Sequence, residues 1–496
     1  MTAVKMRRAL AMTLLCAAAP TTAAAQEQPP PGPATTEAST TVPASPAAGT
    51  LALAEVLRSS FASYPLLQSA ELERDVAAGD LLAAQGGFDA TWKTRATSTP
   101  LGYYKYHRVD SVVELPTTLW GSTFFAGYRL GRGDFPSYYG SYETLSRGEL
   151  RAGVTVPLLR NGPTDRRRTS ITRAEAGRVV ADKGLDQARL ELERTATVRY
   201  WEWVGAGLRV AAIKRLVDAA EERDAGLGAR VARGDLPAIE RTDNQRTVFS
   251  RRGQLLTAER QLQQAAIELG LYLRSAAGAP VQPAPESLPG ALPEPTTSAQ
   301  REAELVEAAL QNRPELARFD AQRRQAEAEL AFAKNQRLPA IDVQVVGSKD
   351  FGADSVYARR TTVLEASVLV DIPLQNRVAE GRADAAGATL GRIAAQTRFL
   401  RDRVAADVRD ARSALATAQE RVDLARRELG LARDLERAER TRFDLGDSTL
   451  LVVNLREQAA ADAVLREIEA LLDYQRAAAT IRAVVAGPAP ATSARP

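Results

Sequence analysis

The chain has 496 residues, of which 25% are charged, with one cysteine, one histidine and a formal net charge of +4. A lone cysteine excludes a disulfide framework and thiolate metal sites, and a lone histidine (His107) supplies neither a metal cluster nor a catalytic dyad. Three of the positive charges, Lys5, Arg7 and Arg8, belong to an expected leader, so the rest is close to neutral and the basic balance does not point to nucleic acid.

Residues 1–25 read as a secretory signal peptide. A basic start precedes an apolar core over 9–19, and Ala23-Ala24-Ala25 supplies small residues before Gln26. Leu14 and Leu15 in front of Cys16 do not suit lipidation, so the mature chain is expected to carry no thiol. Residues 26–50, rich in Pro, Thr, Ser and Ala without periodicity, are expected to form a disordered tether. No later apolar run reaches the roughly 18 residues a spanning helix needs. A membrane β-barrel stays open, because its strands carry only alternating hydrophobicity.

A first repeat is expected over 51–279. Its helix, 51–85, is interrupted at Pro65. A β region follows over 88–159, in which Thr91-Trp92-Lys93-Thr94-Arg95 and Thr123-Phe124-Phe125-Ala126-Gly127-Tyr128 are strand-like. The aromatics crowd here, among them Trp92, Tyr103, Tyr104, Trp120, Phe124, Tyr139 and Tyr142. They suit amphipathic rings at membrane interfaces or the core of a soluble sandwich. Val156-Pro157-Leu158 closes the β region. Residues 164–233 then run without proline, a helix of roughly 100 Å at about 1.5 Å per residue. A turn at Gly234-Asp235 leads into a return helix over 236–274.

A proline-rich linker over 280–300 is expected to run across a surface. The second repeat, 301–487, follows the same order. A helix is broken at Pro314; a β region over 340–372 contains Ile341-Asp342-Val343-Gln344-Val345 and 363–370; Ile372-Pro373-Leu374 echoes the first junction. The long run 376–445 ends at the turn Gly446-Asp447, and a return helix covers 449–485. Residues 488–496 are expected to form a flexible tail. Val408, Ala411, Leu415, Ala418, Val422, Ala425 and Leu429 alternate steps of three and four, a coiled-coil seam of small and medium residues. Two short helices laid end to end match the length of one long helix, so each half predicts a strand pair above a two-rod coiled coil. A duplicated order of this length implies two similar units that bury their faces against each other or against other copies.

These residues resemble the outer-membrane efflux protein family, the TolC-like channels. The resemblance covers about 51–485. It rests on Asn312-Arg313-Pro314-Glu315-Leu316, the two Pro-Leu strand-to-helix junctions, the paired glycine turns and the order helix, β, long helix, turn, helix, given twice. It implies a mixed α/β membrane protein: a homotrimer with an outer-membrane β-barrel continued by a long α-helical coiled-coil periplasmic barrel, built from two tandem repeats. It implies four strands per chain, although 88–159 is long enough for an extra hairpin. The implied partners are a periplasmic adaptor (membrane fusion) protein, an inner-membrane pump and outer-membrane lipid, with no nucleic acid and no cofactor. The implied role is a passive, non-enzymatic exit channel of a tripartite efflux or type I secretion system. The other class is a periplasmic structural or adaptor coiled coil with a soluble β domain, against which two tandem hairpins, each preceded by strands, argue.

Within that resemblance the turns are the candidate adaptor-docking tips: Arg230, Gly234, Asp235 and Leu236 in the first, Arg442, Gly446, Asp447 and Leu450 in the second. Both glycines suit positive φ where a helix ends. Asp235 and Asp447 are expected to cap the return helices, with Ser448 and Thr449 as rivals in the second turn. Ordinary hairpin chemistry explains the same residues. The family places an acid six residues after the turn glycine, near a closed aperture; Glu240 matches, with Asp243 one turn on. The second half departs, with Val452 in that place. The pair serves either as a cation-attracting constriction or as helix-start carboxylates favoured by the dipole. Phe443 stands where some members carry an aromatic hydroxyl that latches the tip, and it has no hydroxyl to donate. Arg166-Arg167-Arg168 lies either near a lipid surface or at a solvated helix start.

Overall fold

Proline sets the first boundary of each half. Tyr64 and Arg313 are held extended because each precedes a proline, so α1 (Leu53–Ser63) gives way to α2 (Pro65–Gln85) and α5 (Glu302–Asn312) to α6 (Pro314–Asn335). Pro65 and Pro314 then open the next helix, where a missing N–H costs nothing. The Asn-Arg-Pro-Glu-Leu run has a second use. Arg313 donates Nε to the Val484 carbonyl at 2.7 Å and Nη2 to Asp407 at 3.3 Å, which docks the helix break onto its neighbours. The structure is a computed structural model that describes residues 49–136, 138, 143–296, 300–352 and 361–486. The expected signal peptide, the tether up to 48, the tail 488–496, and Cys16, Tyr139 and Tyr142 lie outside the described residues.

The first half continues with β1 (Thr91–Thr99), β2 (Tyr106–Pro116), β3 (Thr123–Gly133), β4 (Glu149–Pro157), α3 (Arg166–Ala232) and α4 (Ala238–Gly270). The second has β5 (Ala340–Asp350), β6 (Val363–Asp371), α7 (Arg377–Asp444) and α8 (Leu450–Val485). All six strands form one antiparallel sheet in sequence order, β1-β2-β3-β4-β5-β6, so β4 and β5 join the halves and β1 and β6 are its edges. The first β region therefore does hold the extra hairpin for which its length leaves room. β2 is the strand least legible in the chain. Arg108, Asp110 and Glu114 alternate with Val109, Ser111 and Val113, but Val112 breaks the pattern.

The helices run as a wall. α3 has 67 residues and α7 has 68, each roughly 100 Å long. α2 and α4 lie along α3; α5, α6 and α8 lie along α7; α3 also meets α6 and α8. The order across the wall is thus α2 and α4, then α3, then α6 and α8, then α7. The heptad stripe of α7 is its buried stripe: Val408, Ala411, Ala418, Val422, Ala425 and Leu429 are buried and Leu415 partly so.

The densest core lies midway along α3. Trp203 and Val204 are fully buried against Leu269, Val422, Leu471 and Leu472. Gly205 lets α8 approach, since a Cβ there would meet Leu472 at 2.4 Å. The linker takes part in this core rather than only crossing a surface. Leu292 is buried, Leu288 packs against Gly207, and the Ser287 carbonyl accepts from the Leu51 N–H at 2.8 Å. Its prolines bring no N–H that burial would leave unpaired, so the segment can lie against helices at little cost.

Candidate conduit wall and helix tips

The sheet has two different faces. Cross-strand partners share a face, so the register sorts the side chains. One face carries Trp92, Val109, Val113, Leu115, Phe124, Ala126, Leu150, Ala152, Val154, Val345, Leu364, Val368 and Val370. No other element of the described chain covers it, and Trp92 and Leu364 are 77% and 76% exposed. Its few polar groups serve each other: the Trp92 indole donates to Ser111 Oγ at 2.6 Å, and Ser111 also meets Thr94 at 3.0 Å. His107 sits near the far end with Nδ1 at 2.9 Å from Ser98.

The opposite face is charged. Asp110 receives Nε–H from Arg108 and from Arg129, each at 2.6 Å, and Arg129 reaches Glu149 at 3.4 Å. Lys93 pairs with Glu114 at 2.6 Å, Gln344 donates to Thr155 at 3.1 Å, and Arg151 lies over the Phe125 ring at 5.6 Å. An apolar exposed face backed by a charged one suits a wall with hydrocarbon on one side and water on the other. Aromatics mark both ends of the strands. Trp92 and Trp120 lie at the helix end; Tyr103, Tyr104, Tyr106 and Phe135 lie at the far end, where Tyr103 and Tyr104 meet edge to face at 4.8 Å. No described helix is long and apolar enough to cross a membrane.

The wall is joined to its helices by Arg168. Asp165 caps α3 by accepting the Arg168 N–H at 2.8 Å, and the Arg168 guanidinium binds the carbonyls of Gly162 (2.6 Å) and Pro163 (3.1 Å). Only Arg166 and Arg167 of that triplet are exposed.

The two tips are the same motif. Gly234 and Gly446 take φ of +80° and +82°. Gly234 N–H donates to Val231 and Asp235 N–H to Arg230; Gly446 N–H donates to Phe443 and Asp447 N–H to Arg442, at 2.8–3.0 Å. This is the Schellman arrangement, and it explains the shared spacing Arg-x-x-x-Gly-Asp. The expected capping by the aspartates does not occur. Pro237 and Thr449 stand at the N-caps of α4 and α8, and neither makes a side-chain cap. Asp235 and Asp447 lie two residues too early and turn back to Arg233 (3.0 Å) and Arg442 (3.2 Å), while Ser448 donates to Glu439. Arg230 and Arg442 are exposed and Leu236 is half-buried. Leu450 is buried, so it supports the tip from within. Glu240 is exposed on the first turn of α4, and half-buried Asp243 pairs with Arg246 at 3.4 Å.

One constellation has no signature in the sequence. Glu457 of α8 has a side chain only 2% exposed, and Arg223 of α3, Arg251 of α4 and Arg440 of α7 converge on it. Arg440 Nη2 lies at 2.9 Å and Arg251 Nη2 at 3.4 Å. Arg251 also donates to the Leu216 carbonyl at 3.0 Å, and Arg223 to Asn454 at 2.6 Å. Burial alone pushes the Glu457 carboxyl up, but Arg223, Arg440 and Arg251 together outweigh it and hold it below the usual glutamate value. Four helices from both hairpins are thus clipped at one carboxylate near the tips. Arginines and glutamates recur all along these helices, so only tertiary burial singles these out. Among the described residues no cluster of three or more His, Cys, Asp or Glu side chains could hold a metal.

Comparison with known proteins bears out the family resemblance and the fold class. Residues 305–487 match the family model of the outer membrane efflux protein. The chain is similar in fold to the outer-membrane channel OprN, at 14% identity over 88% of this chain and 90% of that one, with a TM-score of 0.64. It is similarly related to the open state of the MtrE outer-membrane channel of Neisseria gonorrhoeae (16%, 88% and 89%, 0.62). The CmeC outer-membrane channel of Campylobacter jejuni gives 12%, 87% and 85%, and 0.60. No curated protein sequence matches the chain.

Proposed function

We propose that this chain, whose second half matches the outer membrane efflux protein family and whose fold is that of outer-membrane channels, is a passive exit channel in the outer membrane of a Gram-negative bacterium. The observation that carries this reading is the sheet: an uncovered apolar face, a charged opposite face and two unpaired edges, continued by helices roughly 100 Å long. The chain works as one part of a homotrimer. Its helical wall has two unpartnered sides, α4 with exposed Ile239, Phe249 and Leu256, and α7 with exposed Phe399, Leu424 and Leu431. Different surfaces on opposite sides join head to tail, and three copies close a ring. The sheet then lies in lipid and the helices extend into the periplasm.

The channel is one component of a tripartite efflux or type I secretion system. An inner-membrane pump supplies the energy and the cargo, and a periplasmic adaptor meets the glycine tips through Arg230, Asp235, Arg442 and Asp447. Glu240 and Asp243, three copies of each, line a cation-attracting constriction just above the tips. The test is a deletion strain complemented with the chain. Unboiled outer-membrane fractions should show a heat-modifiable trimer on gels, and complementation should restore export. A stable monomer found only in the soluble periplasmic fraction would instead establish the adaptor-type reading.

A further inference from the structure

We infer that β6 of one copy pairs antiparallel with β1 of the next in a single frame that sets Thr91 opposite Asp371, so that three copies close a wall of 18 strands, six from each. This rests on the trimeric outer-membrane reading above. Among the described residues β1 pairs only with β2 and β6 only with β5, and both edges are exposed along almost their whole length. Backbone groups left unpaired in hydrocarbon are not tolerated, so both edges need a partner strand. A second copy fits. With six strands in a meander, β1 runs away from the helices and β6 runs back toward them, which is the antiparallel relation.

Length and face set the frame. Each edge has nine residues, and each has one end at the junction with the helices, Thr91 in β1 and Asp371 in β6. Full overlap therefore sets Thr91 opposite Asp371 and Thr99 opposite Val363. In this frame Trp92 meets Val370, Thr94 meets Val368 and Ala96 meets Ala366, so the apolar face continues across the seam. A slip of one residue would bring Trp92 beside Asp371 and turn the charged face into lipid. The charges agree as well. Arg95 falls opposite Ser367, one diagonal step from Glu365, and Lys93 falls one diagonal step from Asp371. Lys93 and Asp371 already hold Glu114 and Arg160, whereas Arg95 and Glu365 have no ion-pair partner among the described residues. The basic edge of one copy therefore meets the acidic edge of the next.

Eighteen strands spaced about 4.8 Å apart and tilted about 40° enclose roughly 35 Å between opposite backbones, against roughly 24 Å for 12 strands. The extra hairpin thus widens the exit at the membrane.

The mature chain is expected to be free of cysteine, so disulfide trapping has a clean background. Thr94→Cys paired with Val368→Cys, in the full chain in outer membranes, should yield a covalent trimer under mild oxidation. Thr94→Cys with Ala366→Cys or with Val370→Cys should give at least tenfold less. Arg95→Glu should lower the temperature at which the trimer dissociates in detergent, and adding Glu365→Arg should restore it. A heat-modifiable outer-membrane trimer with no cross-chain disulfide in any of the three frames would overturn the seam while leaving the channel reading intact. Absence of any outer-membrane oligomer would overturn the channel reading itself.

Discussion

In the sheet, Val113, Phe124 and Val154 point one way while Asp110, Arg129 and Glu149 point the other. In the helices, Val408, Val422 and Leu429 of α7 are buried between neighbours, whereas Arg421 and Glu428 of the same helix are exposed and pair with Asp473 and Arg466. In the proposed channel both regions are walls, but they meet different solvents. The sheet separates an apolar medium from water, so it sorts side chains by face with period two. The helical wall has water on both sides, so it confines apolar groups to narrow seams between rods. A charge added at an exposed position is therefore costly on the apolar face of the sheet and harmless on the solvated faces of the helices.

The largest effect is expected at the largest core of the helical wall. Trp203→Ala should cost about 3–5 kcal/mol, read as a lowered thermal midpoint of the helical signal in detergent, while the barrel stays resistant to unboiled gel conditions. Loss of both together would mean that the two walls unfold as one unit.

Nearly as large is the expected cost of breaking the clip at Glu457. Glu457→Gln leaves three guanidiniums without their carboxylate, two of them largely buried, at about 3–5 kcal/mol. The same clip should respond to acid. A carboxyl whose folded value lies below its unfolded value contributes fully above the ordinary glutamate range, about 4.3, and its contribution is lost as pH falls through the lower folded value. Limited proteolysis near the tips should thus stay flat from pH 7 to about 5 and accelerate only at lower pH. The Glu457→Gln variant should be cleaved rapidly at pH 7 already; equal resistance of the two chains at neutral pH would remove the clip.

The contrast between the walls is tested most directly by one charge in two places. Ala152→Arg, on the apolar face, should cost roughly 2–4 kcal/mol and deplete the trimer from the outer membrane. Ala331→Arg, exposed on α6, which lies between α3 and α7 and on neither unpartnered side, should stay within about 0.5 kcal/mol and leave assembly unchanged. Comparable trimer yields from the two variants would mean that the face of Ala152 does not meet lipid.

A modest effect on stability, with a large effect on function, is expected at the tips. Gly446→Val forces a β-branched residue to φ of +82° and should cost about 1–2 kcal/mol. The tip lies far from both the sheet and the Trp203 core, so the trimer should form normally and export should fail. Full export by an assembled Gly446→Val trimer would show that the tip takes no part in docking.

Much of this molecule is local, and what is local was legible in the chain. Pro65 and Pro314 break helices through their own rings, Gly234 and Gly446 end helices through their own φ, and the α7 heptad names its buried stripe because a helix repeats every 3.6 residues. The repeat of these signals carried the family resemblance and the fold class. Features that depend on partners distant in sequence were decided only by the tertiary structure. The caps assigned to Asp235 and Asp447 went instead to turns that close on Arg233 and Arg442, because a guanidinium nearby outcompetes a helix start two residues away. The linker entered the core because Gly207 left room for Leu288. Glu457 is indistinguishable in sequence from its many acidic neighbours, and only the convergence of four helices buries it among three arginines. The shared sheet and its two free edges follow from pairing β4 with β5 across the two halves, since hydrogen bonds between strands depend on where the chain brings them and not on their residues alone.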